Sequence, residues 1–238
     1  ESLHQSLKEG KRSARYLEGC ERLGRLYNST AMQYLQAGDN SQALDLLQSA
    51  ESLIAEGAGD SSLDSLKGLT YNNLGCYFRR EGMPMEALKW LRQAHDIELR
   101  VGESASRSST FLNLCAVYSL LGKHSEALQC ANEALKHLKI SLQQDPDAPL
   151  AAAVPGMEKV DKASMLAIAH HNIAVEQEYL LRHEEAVGSY RRALQVAESQ
   201  CGTKSPLAAK IRIALTAAIN AAEANGGGGE SEDLGVSK

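Results

Sequence analysis

Residues 71–94 read Tyr-Asn-Asn-Leu-Gly-Cys-Tyr-Phe-Arg-Arg-Glu-Gly-Met-Pro-Met-Glu-Ala-Leu-Lys-Trp-Leu-Arg-Gln-Ala. Tyr71, Leu74, Gly75 and Phe78 stand at i, i+3, i+4 and i+7, which is one face of a helix. Ala87, Leu91 and Ala94 repeat that spacing on a second helix. Gly82 stops the first, because a glycine just past the last turn takes the left-handed conformation without strain. Pro84 opens the second, at a position where a missing N–H costs nothing. Gly75 and Ala87 are small, so the two helices can approach closely. A single hairpin cannot bury both of its faces, so the rest of the chain must supply neighbours.

It supplies three. Aligned on the small residue of the second helix, the others centre on Ala43, Ala127 and Ala186. The first has Tyr27, Thr30-Ala31, Tyr34, Gly38, Ala43, Leu47 and Ala50; the third has Phe111, Leu114-Cys115, Tyr118, Gly122, Ala127, Ala131 and Ala134. The fourth has His170, Ile173-Ala174, Gln177, Ala186, Tyr190 and Ala193, with Gln177 in place of an aromatic and Leu181 in place of Gly. Over roughly residues 23–200 this pattern resembles the tetratricopeptide repeat (TPR) superfamily. The resemblance implies an all-α fold, a right-handed superhelical solenoid of about four helix-turn-helix units plus a C-terminal capping helix. From Ala43 to Ala87, Ala127 and Ala186 the steps are 44, 40 and 59 residues. The usual period is about 34. Units near 40 are similar, in length only, to the arrays of kinesin light chain and of polarity adaptors that bind G-protein α subunits.

The chain has 238 residues, 43% of them hydrophobic, and the balance is rich in Ala and Leu, which favours helices. A net charge of −5 and a pI of about 5.8 argue against general nucleic-acid binding. Five cysteines, an odd number without a Cys-x-x-Cys, suggest neither a disulfide framework nor a zinc site. Free thiols fit a reducing compartment, so a cytoplasmic setting is expected, and the resemblance to kinesin light chain-type arrays implies association with the cytoskeleton. No apolar run reaches the roughly 18 residues needed to span a membrane, and membrane insertion is not expected. The first residue is Glu1, not Met, which reads as a fragment of something longer.

Four segments are expected. Residues 1–22 form an N-terminal helical extension carrying Lys8, Lys11, Arg12, Arg15 and Arg22. Residues 23–200 hold the four units, interrupted at about 145–157 by a three-proline insertion that breaks the helical pattern. Residues 205–224 form the capping helix that an open array needs, and 225–238, with a run of four glycines and several charges, form a disordered tail.

No catalytic constellation is legible, and no cofactor or metal is expected. Gly226–Gly229 has no strand before it and no Lys-Ser/Thr after it. His170 and His171 point about 100° apart on a helix, too far to share one ion easily. His124 and His183, both just before a second helix, read as packing residues. The chain therefore reads as a binding module and not an enzyme, with a protein or peptide partner, acidic in part. In TPR arrays the first helices line a groove. Asn73, Asn113 and Asn172 occupy one repeat position there, Ser29 in the first unit, and an asparagine can both donate to and accept from a peptide backbone. This resembles the peptide-holding asparagines of other TPR proteins. Asn72, Cys76, Arg79 and Arg80, then Leu112, Ala116 and Leu120, then His171, Val175 and Tyr179 flank them. The expected partner-binding set is Asn72, Asn73, Arg79, Arg80, Asn113, His171, Asn172 and Tyr179. At Asn28, Met32, Asn73, Ser109 and Asn113 the cations of the chaperone-carboxylate clamp are missing. The alternative is a fixed subunit of a motor, ciliary or ubiquitin-ligase assembly, packed through its convex face or edges.

Overall fold

The computed structural model describes residues 14–56, 61–102, 104–144 and 162–226. The expectations for the start of the N-terminal extension, the insertion at 145–157 and residues 227–238 of the tail lie outside them. Nine α-helices are described: α1 (Ala14–Ala37), α2 (Asn40–Glu56), α3 (Asp64–Arg80), α4 (Pro84–Val101), α5 (Ser104–Leu120), α6 (His124–Gln144), α7 (Lys162–Tyr179), α8 (His183–Cys201) and α9 (Pro206–Gly226). A 3₁₀ turn over Ser61–Leu63 leads into α3.

The helices pair as α1/α2, α3/α4, α5/α6 and α7/α8, and each second helix also packs on the first helix that follows it. The first helices touch one another in turn, α1 on α3, α3 on α5, α5 on α7 and α7 on α9, and so form a continuous inner layer. Close packing within each pair depends on small residues. Ala43, Ala87, Ala127 and Ala186 are completely buried. A Cβ placed on Gly75 would stand 2.5 Å from Leu91 Cγ, so only glycine fits there without displacing the Leu91 side chain. Gly24 plays the same part between units, where a Cβ would meet Leu66 Cδ2 at 2.5 Å.

All four hairpins turn in one way. The N–H of the last residue before the second helix reaches the carbonyl five residues back: Asp39 to Tyr34, Met83 to Phe78, Lys123 to Tyr118 and Arg182 to Gln177, at 2.8–2.9 Å. This closure needs a left-handed residue just before it. Gly38, Gly82 and Gly122 supply it at φ of 88°, 73° and 69°, and in the fourth unit Leu181 is forced to φ 60°. Asp39 caps α2 by accepting from the Gln42 N–H at 3.1 Å, and Pro84 sits in the first turn of α4.

Leu181 is the strained member of the series, and its side chain is 77% exposed, so little packing offsets the strain. A side chain in the left-handed region costs about 1–2 kcal/mol, and the extra freedom of an unfolded glycine returns part of that gain. Leu181→Gly is expected to stabilise the array by about 0.5–1 kcal/mol in denaturant titrations. A loss of stability would show that the Leu181 side chain packs in solution.

Candidate functional site

The inner layer is held together by amides. Asn28, fully buried on α1, donates from Nδ2 to the Gly24 carbonyl at 2.9 Å and to Thr70 Oγ1 at 2.8 Å. Thr70 Oγ1 donates in turn to the Leu66 carbonyl at 2.9 Å. Asn73 Nδ2 donates to Asn28 Oδ1 at 2.9 Å. One unit on, the same register recurs. Asn113 Nδ2 donates to Asn72 Oδ1 at 3.0 Å, and Thr110 Oγ1 lies 3.2 Å from that oxygen while donating to the buried Glu98 carboxylate at 2.7 Å. The rule is simple: the Asn73-position amide of one unit meets the preceding residue's position in the unit before.

The rule fails at the next step because Leu112 stands where Asn28 and Asn72 stood, and a leucine accepts nothing. Asn172 accordingly has no hydrogen-bond partner among the described residues and is half-buried. Ala169 replaces the threonine, and Leu112, Leu138 and Met165 pack there with Ala169. Units three and four are joined instead through Glu176, a carboxylate only 2% exposed, whose Oε2 lies 2.8 Å from His124 Nδ1. Tyr179 stacks flat on the His124 ring, with centroids 4.1 Å apart and planes 9° apart.

These pairings correct several expectations. Asn73 does not lie on an open face: it is 7% exposed and its amide is engaged between helices. Asn72 gives its oxygen to the next unit. Arg79 is half-buried, with its Nε enclosed and without a hydrogen-bond partner. His171 meets the Tyr190 ring edge-on, at 5.5 Å. His124 is more than a packing residue, since it joins two units. Arg80 and Tyr179 are exposed, and Leu120, at their repeat position, is exposed with them. Thr70 and Thr110, three residues before Asn73 and Asn113, were the sequence signal for the ladder.

Reactive groups are muted. Burial pushes the Cys76 and Cys130 thiols up to about 11 and that of Cys115 to about 12, so they stay protonated and poorly nucleophilic at neutral pH. Among the described residues no group of three or more His, Cys, Asp or Glu could hold a metal ion, and no helix is long and apolar enough to cross a membrane.

Two outcomes follow. Asn73→Ala removes a buried donor and leaves Asn28 Oδ1 short of its partner, at an expected cost of about 1–3 kcal/mol, whereas Asn172→Ala should stay within about 0.5 kcal/mol. Equal effects in urea titrations would contradict the ladder. The histidines predict the second. Burial, then the charges of Lys139 and Arg192, hold His170 down to about 4, and burial lowers His95, His137 and His171 as well. A histidine with a lowered folded pKa stabilises fully above its unfolded value of about 6.5 and loses that contribution as pH falls towards 4. His170 alone should cost about 2 kcal/mol between pH 7 and pH 5, and His170→Phe should flatten that slope. An unchanged slope would mean that His170 is not held neutral by the fold.

Residues 66–140, from α3 to α6, match the family described as Tetratricopeptide repeat. A search of the curated proteins by sequence gives no match. Among solved structures, the nearly identical TPR-like repeats of a kinesin light chain from Podosopora anserina superpose with a TM-score of 0.61 at 18% identity, over 87% of this chain and 90% of that one. BtubC (BKLC) from P. vanneervenii gives 0.57 at 18% identity, over 100% of this chain and 97% of that one. A Rap protein complexed with competence and sporulation factor gives 0.60 at 16% identity, over 84% of this chain and 49% of that one. Residues 66–140 therefore belong to the tetratricopeptide repeat family, and along its described helices the chain is a tetratricopeptide repeat solenoid.

Proposed function

We propose that the chain is a protein-binding module, an adaptor or scaffold that holds a peptide or helix of a partner against its inner layer of first helices. One observation carries the reading. At the last turn of α3, α5 and α7, Arg80, Leu120 and Tyr179 project into solvent from the same repeat position, while most of the polar groups beneath them are paired within the array. Among the charged groups of that surface, Arg79 and Arg80 have no ion-pair partner among the described residues, so a segment with acidic residues opposite them fits best. The Rap protein, a neighbour in fold, is itself seen in a complex. No catalytic role is assigned, and a cytoskeletal setting is suggested by the kinesin light chain neighbours alone.

A second reading has its own observation. Met83, Met85 and Leu181, exposed at the hairpin turns, could seat the array by its edge as a fixed subunit. Affinity capture followed by titration of the captured protein separates the two. Leu120→Asp with Tyr179→Asp should weaken binding by about tenfold or more with melting unchanged. Binding kept by that pair, but lost on Met85→Asp with Leu181→Asp, would overturn the groove in favour of the edge.

A further inference from the structure

We infer that Arg80, Leu120 and Tyr179 read a partner segment in the polyproline II conformation, one side chain per unit: a carboxylate at Arg80, an aliphatic chain at Leu120 and a proline at Tyr179. The inference rests on the groove reading above and specifies its ligand.

Spacing comes first. The three residues occupy one repeat position on first helices that touch in succession. Packed helix axes lie about 8–10 Å apart. A polyproline II segment has three residues per turn and a rise of about 3.1 Å, so every third side chain points the same way at about 9 Å. A β-strand sends residues i and i+3 to opposite faces and cannot present such a series without twisting.

Chemistry comes second. Arg80 is exposed and has no ion-pair partner among the described residues, since the neighbouring Glu81 carboxylate bonds to Asn40. Leu120 is 62% exposed and offers an aliphatic contact. Tyr179, 61% exposed, does not swing freely. Its ring lies flat on His124, which Glu176 holds from below. A flat ring fixed in advance is the surface on which a proline docks with little loss of side-chain freedom. The backbone of a polyproline II segment has no internal hydrogen bonds and stays solvated where it lies across the last turns.

The test is fluorescence anisotropy with the 238-residue chain and synthetic peptides. Glu-Pro-Pro-Leu-Pro-Pro-Pro and its reversed order carry the predicted spacing. Glu-Pro-Leu-Pro-Pro-Pro-Pro breaks it, and a helical peptide places Glu, Leu and Phe seven residues apart. One of the two correctly spaced orders should bind about tenfold more tightly than the misspaced peptide. Arg80→Glu should abolish that preference, and replacing the peptide's Glu by Lys should restore it on the variant. Tyr179→Ala should weaken binding about fivefold. Equal binding of the misspaced peptide overturns the inference. Tighter binding of the helical peptide through the same residues overturns it too, but leaves the groove reading in place. Should none of the peptides bind while the captured partner is still lost on Leu120→Asp with Tyr179→Asp, the inference falls and the groove stands. If that partner is indifferent to the double substitution, both fall.

Discussion

A Cβ on Gly75 would stand 2.5 Å from Leu91 Cγ, and four alanines, Ala43, Ala87, Ala127 and Ala186, sit wholly buried at the matching place on the second helices. That close approach within each hairpin sets the rest. It places each second helix against two first helices, brings successive first helices into contact, and aligns the last turns of the first helices along one rim. The four turns share one hydrogen-bond closure, so the rim is regular even where the sequence strains it at Leu181.

Once first helices touch, any polar group between them must find a partner, because an unpaired buried amide costs more than a paired one returns. The array meets this demand twice with an asparagine–threonine set and once with apolar packing plus the His124–Glu176 contact. The consequence for function is a division of labour along one helix. Mid-helix amides serve the contact between units, and the last turns of α3, α5 and α7 keep exposed side chains, the surface on which the proposed binding rests. The change of device between units three and four also fixes Tyr179, since its ring rests on the histidine that makes the contact.

The hairpins, their turns and their small residues were legible in the sequence because they depend on local period and on residue size. Gly38, Gly82 and Gly122 marked the turns, and Leu181 stood out as the exception that the backbone then showed to be strained. The role of the asparagines was not legible from the repeat position alone. Asn73, Asn113 and Asn172 look alike in register, yet a buried amide needs an acceptor on the helix before it. Asn28 and Asn72 provide one, and Leu112 does not. That distinction depends on pairs about forty residues apart, which a repeat alignment does not pair. Arg79 and Arg80 are adjacent in sequence, and only packing sorts the half-buried one from the exposed one.

The mid-helix amides bind helix to helix. A double-mutant cycle on Asn72 and Asn113, read by equilibrium denaturation of Asn72→Ala, Asn113→Ala and the double variant, tests it directly. The expected coupling is about 0.5–1.5 kcal/mol, with the second substitution costing less once the first is made. Additive effects, within about 0.3 kcal/mol, would show that the two asparagines do not hold α3 to α5.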